Sequence, residues 1–436
     1  MVFRRRDAAY AFALIVAFAS CALAQSPAQT NDAQTLRSAI DDLKKDFEQR
    51  LSALEARLAA VEAASRQGAT APAATSAAPQ ATTPALAVSP ESATGASVSN
   101  AKVFNPDMAV IGNFLGAVGH PNADPSNSIR PLPSLEMHES EASFQAVVDP
   151  YARADFFVSF GEQGVDLEEG YITFTSLPWG LLTKVGKMRA AFGKVNTLHS
   201  HVLSWTDRPL VTNNLVGGED GIDDAGISVA KLIPNPWFFL EATGQVFRGD
   251  SGDLQSPLYV ATERTHVSYV GHLRGYQDLS ESTNIDLGAS VSRGFNGAGL
   301  AADVDNLTTW LYGVDATLKW KPLQRSIYHS FVGRSEIIWS RREQLNGTQN
   351  SNGFYVSGDY QFARRWFAGV RFDSSDRFDN ASLRDKGGSA VLTYWPSEFS
   401  QVRGQYRRTH YASGTAADEY LFQFQFSIGA HGAHPF

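Results

Sequence analysis

The chain has 436 residues, with 37 Lys and Arg against 45 Asp and Glu and a formal net charge of -8, which excludes nucleic-acid binding by bulk charge. A single Cys excludes a disulfide framework and a cysteine metal cage. With 43% hydrophobic and 19% charged residues the chain is too polar for a bundle of membrane helices, yet it carries 36 Gly and 27 Phe.

Arg4, Arg5 and Arg6 precede an apolar run from Ala8 to Ala24 that closes on small residues, the pattern of a secretory signal over residues 1–24. Cys21 follows Ala19 and Ser20, but Phe18 fits a lipoprotein cleavage box poorly, so cleavage before Gln25 is expected. In residues 25–67, Leu36, Ile40, Leu43, Phe47, Leu51, Leu54, Leu58 and Val61 recur at spacings of 4, 3, 4, 4, 3, 4 and 3, predicting a short α-helical coiled coil with one stutter. Residues 68–103, rich in Ala, Pro, Thr and Ser, read as an extended linker.

From residue 104 to 436 the pattern changes to alternating, aromatic-rich segments separated by turn residues. Sixteen strands are predicted: 108–119, 134–148, 151–161, 165–175, 180–192, 223–232, 237–248, 262–276, 281–294, 306–320, 326–341, 353–362, 365–374, 386–395, 400–411 and 418–429. Their connections alternate between short and long, with 120–133, 193–221, 249–261 and 344–352 among the long ones and the tight link at 162–164 the exception. Trp179, Trp237, Trp320, Trp366 and Trp395 lie in or beside the short turns, where an interfacial aromatic girdle needs them. The fold expected is an all-β transmembrane barrel of about 16 antiparallel strands, with tight turns on the periplasmic side and long loops outside. The location that follows is the outer membrane of a Gram-negative-type bacterium, with the coiled coil in the periplasm.

The stretches FNPDMAVIG, VVDPYARADFFVSFGEQG, DLEEGYITFTSLPWGL, KVGKMRAAFGKVNTLHSHVL and TDRPLV, and the ending GAHGAHPF, resemble bacterial outer-membrane porin-like proteins related to the phosphate-selective porin O/P group. The resemblance implies a channel built as a homotrimer of sixteen-stranded barrels, each preceded by a periplasmic coiled coil. Phe436 matches the terminal residue that barrel-assembly machinery reads, although residues 429–435 break the strand before it.

Motifs for catalysis are missing: there is no Gly-rich phosphate loop, no HExxH and no Gly-x-Ser-x-Gly elbow, so no enzyme and no cofactor is expected. An energy-coupled receptor would need a large folded plug before the first strand, and only a coiled coil and a linker precede it. A passive diffusion channel for small hydrophilic solutes is the reading favoured. The alternatives are an envelope-tethering barrel whose coiled coil reaches cell-wall components, and a metal-binding or metal-uptake barrel.

Two groups of residues bear on selectivity. The longest loop, 193–221, carries Asn196, His199, His201, Asp207 and Arg208, a candidate pore constriction if it folds inward. Between Arg325 and Tyr411 there are 13 basic and 8 acidic residues. Strand alternation turns Arg365, Arg371, Arg403 and Arg407 inward, with Arg334 beside Glu336, as a basic lumen wall that attracts anions or pairs with Glu139, Glu141, Glu168 and Glu169. His199 and His201, two apart, could also share a metal ion with Asp207, Glu219 or Asp220; His431 and His434 form a second, weaker metal pair.

Overall fold

The computed structural model describes residue 45 and residues 106–120, 135–162, 164–253, 256–302 and 306–429. Sixteen strands follow in chain order: β1 Asp107–His120, β2 Leu135–Asp149, β3 Ala152–Gly161, β4 Gly164–Leu177, β5 Leu181–Arg189, β6 Asp223–Leu232, β7 Phe239–Phe247 and β8 Ser268–Ser280, then β9 Thr283–Phe295, β10 Thr308–Trp320, β11 Ser330–Gln344, β12 Gly347–Ala363, β13 Trp366–Asp376, β14 Arg384–Ser397, β15 Ser400–His410 and β16 Ala416–Gly429. Each pairs antiparallel with the next, and β16 closes on β1 with Ala109 opposite Gly429 and His120 opposite Asp418. Closure leaves no strand edge with unpaired backbone groups, which a sheet surrounded by hydrocarbon requires.

Alternation decides which surface faces where. On β16, Ala417, Glu419, Leu421, Gln423 and Gln425 are buried while Tyr420, Phe422 and Phe424 between them are exposed. On β15, Gln401, Arg403, Gln405, Arg407 and Thr409 are buried in the same rhythm. The barrel therefore presents apolar and aromatic side chains outward and polar ones inward, the reverse of a soluble sandwich.

The short turns gather at one end. Trp179 and Trp237 are exposed there, and Trp366 stacks on Tyr394 with centroids 4.5 Å apart. Trp179, between Pro178 and Gly180, adopts a left-handed φ of 63° in the turn between β4 and β5 and is 83% exposed.

Several predicted boundaries are corrected; strand eight, expected over 262–276, runs Ser268–Ser280, its ladder with β7 beginning at Ser268 opposite Phe247. Strand five ends at Arg189 rather than Phe192, because past Ala190 the backbone leaves the ladder for inward side chains, Ala191 N donating to Gln245 Oε1 and Gly193 N to Ser290 Oγ. The expected long connection at 344–352 is instead ladder: β11 and β12 continue to Gln344 opposite Gly347, leaving a turn of two residues. Polar residues such as Gln349 and Ser351 hide this from a hydrophobic pattern, but strands projecting beyond the apolar band need no apolar face. The signal, coiled coil, linker and C-terminal tail, including His431, His434 and Phe436, lie outside the described residues; Lys45 within the expected coiled coil is helical.

Candidate functional site: a loop inside the barrel

The connection between β5 and β6, residues 190–222, runs inside the barrel. Its partners establish this, since all occupy inward positions of the wall. Ala191 N donates to Gln245 Oε1 on β7 at 2.7 Å and Gly193 N to Ser290 Oγ on β9 at 2.9 Å. Gly193 has φ 60°, and a Cβ there would collide with the Glu336 carboxylate on β11. Only glycine makes this turn without strain.

Apolar packing holds the middle of the loop. Phe192, Val195, Leu203, Val211, Leu215 and Val216 are buried against Phe247, Val270, Leu311, Ile338 and Tyr355 of the wall and against Leu258 and Tyr259 of the β7–β8 connection. The short helix α1, Leu210–Leu215, packs against β11, β12, β13 and β14. Burial of each such side chain contributes about 1.5–3 kcal/mol, whereas buried ion pairs roughly break even after desolvation. The apolar side chains hold the loop in, and the charges set its register.

Among the residues expected to form a constriction, Asn196 and Arg208 serve the loop itself. Asn196 donates to Ala190 O and Ile222 O and accepts from Ile222 N, tying the two ends of the loop together. Arg208 donates to Val195 O at 3.0 Å and Leu198 O at 2.8 Å; burial pulls its guanidinium down to about 10.

Asp207 meets the basic wall. Arg371 Nη2 on β13 donates to Asp207 Oδ2 at 2.6 Å, Gln405 Nε2 on β15 to Oδ1 at 2.5 Å, and Arg407 Nη1 on β15 reaches Oδ2 at 3.3 Å. Burial alone would raise the Asp207 carboxyl, but the two guanidiniums hold it below the usual carboxylate range. Arg371 also pairs with Asp373 at 2.8 Å and Arg407 with Glu419 at 2.6 Å.

Of the predicted arginine wall, Arg371, Arg403 and Arg407 are buried inside, at 3%, 3% and 2% exposure. Arg334 is half-buried on Asp359 at 2.6 Å. Arg365 is a correction: it lies in the β12–β13 turn, exposed, and donates to Pro396 O at 2.6 Å. The parity was right, but the strand begins one residue later and the side chain caps the turn. The arginines' acidic partners are Asp207, Asp359, Asp373 and Glu419, in place of the four glutamates expected. Arg403 alone of the inner three bonds only neutral groups, Thr393 Oγ1 at 3.3 Å and Gln423 Oε1 at 2.8 Å.

His199 meets the opposite chemistry. Its Nδ1 lies 2.7 Å from Glu141 Oε2 on β2 and 3.2 Å from Glu168 Oε2 on β4, and its Nε2 lies 2.8 Å from Glu169 Oε2. Carboxylates only accept, so both ring nitrogens donate. Burial would lower the imidazolium's pKa, but the three carboxylates raise it well above the ordinary histidine range. His201 Nδ1 stands 3.5 Å from Glu141 Oε2. Neither Asp207 nor Glu219 nor Asp220 joins this pair.

Adjacent residues of a regular strand face opposite ways, yet Glu168 and Glu169 both point inward. The register explains it: Phe157 pairs with Glu169 and Val158 with Leu167, so Glu168 is the extra residue of a β-bulge. Arg189 fills the space beneath, donating to Glu168 Oε1 through Nε and Nη2 and, through its backbone N–H, to Glu169 Oε1 at 2.7 Å. Sequence reasoning missed Arg189 as a partner. Its signal was DLEEGY, a doublet of acids inside a strand.

No protein-family description matches the chain. An uncharacterized protein of Aquifex aeolicus (strain VF5) is 28% identical over 388 residues, spanning 77% of this chain and 81% of that one. Among solved structures, the anion-selective porin from Comamonas acidovorans superposes with a TM-score of 0.51 at 9% identity, covering 74% of this chain and 99% of that one. The outer membrane channel DcaP of Acinetobacter baumannii gives 0.48 at 12% identity, covering 74% and 96%. The first of these likenesses shows a porin-like fold.

Proposed function

We propose that the chain is an outer-membrane porin, a passive diffusion channel for small hydrophilic solutes, in which the loop 190–222 is the selectivity element. The observation that carries this reading is the loop itself, seated within a polar-lined barrel whose outside is apolar. A wide barrel discriminates among small solutes only if something narrows it. The half-exposed Lys194, Arg274 and Arg334, with their partners Asp286 and Asp359, lie on the β8–β12 side of the interior and supply the water-accessible part of the path.

Transport here prefers anions. Arg403 brings a buried charge with no hydrogen-bonded carboxylate among the described residues, and low-dielectric walls focus its field. The assembly is a homotrimer, and the coiled coil stands in the periplasm, as the sequence resemblance to the phosphate-selective group implies.

Reversal potential across a salt gradient in a planar bilayer tests this. An open channel with anion preference is expected. Conductance without anion preference would remove the selectivity reading alone. A barrel that inserts but does not conduct would overturn the channel and favour an envelope anchor filled by its own loop.

A further inference from the structure

The geometry points to a divalent transition-metal site, of the zinc class, formed by His199 and His201 of the loop with Glu141 of β2 and Glu168 of β4. A tetrahedral ion with bonds of about 2.0–2.1 Å has ligand atoms about 3.3 Å apart. His199 Nδ1 is 3.2 Å from Glu168 Oε2, and His201 Nδ1 is 3.5 Å from Glu141 Oε2. The third edge, His199 Nδ1 to Glu141 Oε2, is 2.7 Å and opens by a few tenths of an ångström when a cation replaces the proton between them. The ligand atoms of Glu141, His199 and His201 lie within 4.8 Å of one another, and all three side chains are buried.

Three further observations favour an ion. Glu168, 4% exposed, commits Oε1 to Arg189 and leaves Oε2 buried without a hydrogen bond, on the His199 side. The remaining ring nitrogen of His199 meets Glu169 at 2.8 Å, the carboxylate–histidine arrangement that orients an imidazole toward a metal. Charge points the same way: the carboxyl groups of Glu141, Glu168 and Glu169 converge on His199, and the guanidinium bonded to them is that of Arg189 on Glu168, so the cluster draws a cation. Two imidazoles among the ligands select a borderline transition ion over calcium or magnesium. Such an ion would bind the loop to two wall strands at once. The proposal does not depend on whether the channel conducts.

The test uses the full chain, purified as heat-modifiable barrel, stripped with chelator and titrated with zinc chloride against a chromophoric competitor. Bound zinc is expected in the native protein, with His201→Ala lowering affinity by about 100-fold or more and Glu169→Gln by about 10–100-fold. Replacing His431 and His434 together with Ala should leave that binding unchanged. X-ray absorption of the zinc-loaded wild type should show two imidazoles and oxygen ligands, a result independent of how the variants fold. Folded barrel that binds no zinc, fewer than two imidazoles in the spectrum, or binding abolished by the tail variant but not by His201→Ala would each overturn the site.

Discussion

On one wall the loop offers a cation to carboxylates; on the other it offers a carboxylate to cations. His199 sits among Glu141, Glu168 and Glu169, and Asp207 among Arg371, Arg407 and Gln405. The two anchors are inverse in charge but unequal in chemistry. Guanidiniums hold their charge at every physiological pH, so the Asp207 anchor is fixed. At the metal site proposed above, the His199 imidazole would exchange its proton for the ion, and that anchor would then be adjustable. The difference also orients the loop, since swapping its ends would face like charges across both contacts.

Asp207→Asn should have the largest effect. It leaves Arg371 and Arg407 buried without their shared carboxylate, and removing one member of a buried pair costs about 3–5 kcal/mol. The loop should lose its register around Asp207 while its apolar packing and the sixteen-stranded ladder persist. The measurement is channel noise and loop proteolysis beside unchanged heat-modifiability; noise and cleavage at wild-type levels would show that the apolar packing sets the register as well.

Acid should sharpen the same contrast. Because the Asp207 carboxyl is held low in the folded state, its contribution is fully present above the ordinary carboxylate value of about 3.9 and disappears only as pH falls through the depressed value. Trp205, whose ring lies 5.0 Å from the Arg371 guanidinium carbon, reports locally. Its fluorescence should be flat from about pH 8 to pH 5; a transition inside that window would mean Asp207 is not the anchor.

Single replacements Arg371→Gln and Arg407→Gln should cost less than Asp207→Asn, because either remaining guanidinium still neutralises Asp207. Their double variant should deviate from additivity by about 0.5–3 kcal/mol, as groups sharing a partner do. Additive behaviour would separate the two arginines into independent contacts.

Arg403→Gln should move the reversal potential toward cations without undocking the loop, since no loop residue bonds it. The shift should shrink between 0.1 M and 1 M salt as the screening length falls from about 10 Å to about 3 Å. Arg365→Gln, in its turn, should give the smallest shift of all. Equal shifts for the two would disprove focusing by the interior.

Strand number and facing were legible in the chain because a barrel in a bilayer imposes period 2 on every segment, and charge on the lipid face is costly. Arg371, Arg403 and Arg407 were placed inward by that rule alone, and Asp207, His199 and His201 were set apart by sitting in the longest loop. Strand ends were less legible, because beyond the apolar band nothing distinguishes ladder from loop, as residues 344–352 show. What only the tertiary structure decided is who pairs with whom. Asp207 lies 164 residues before Arg371 and 200 before Arg407, and His199 lies 58 residues after Glu141. Such contacts depend on barrel closure, on a bulge that turns Glu168 inward beside Glu169, and on a glycine that lets the chain turn into the interior, and none of these leaves a periodic trace in sequence.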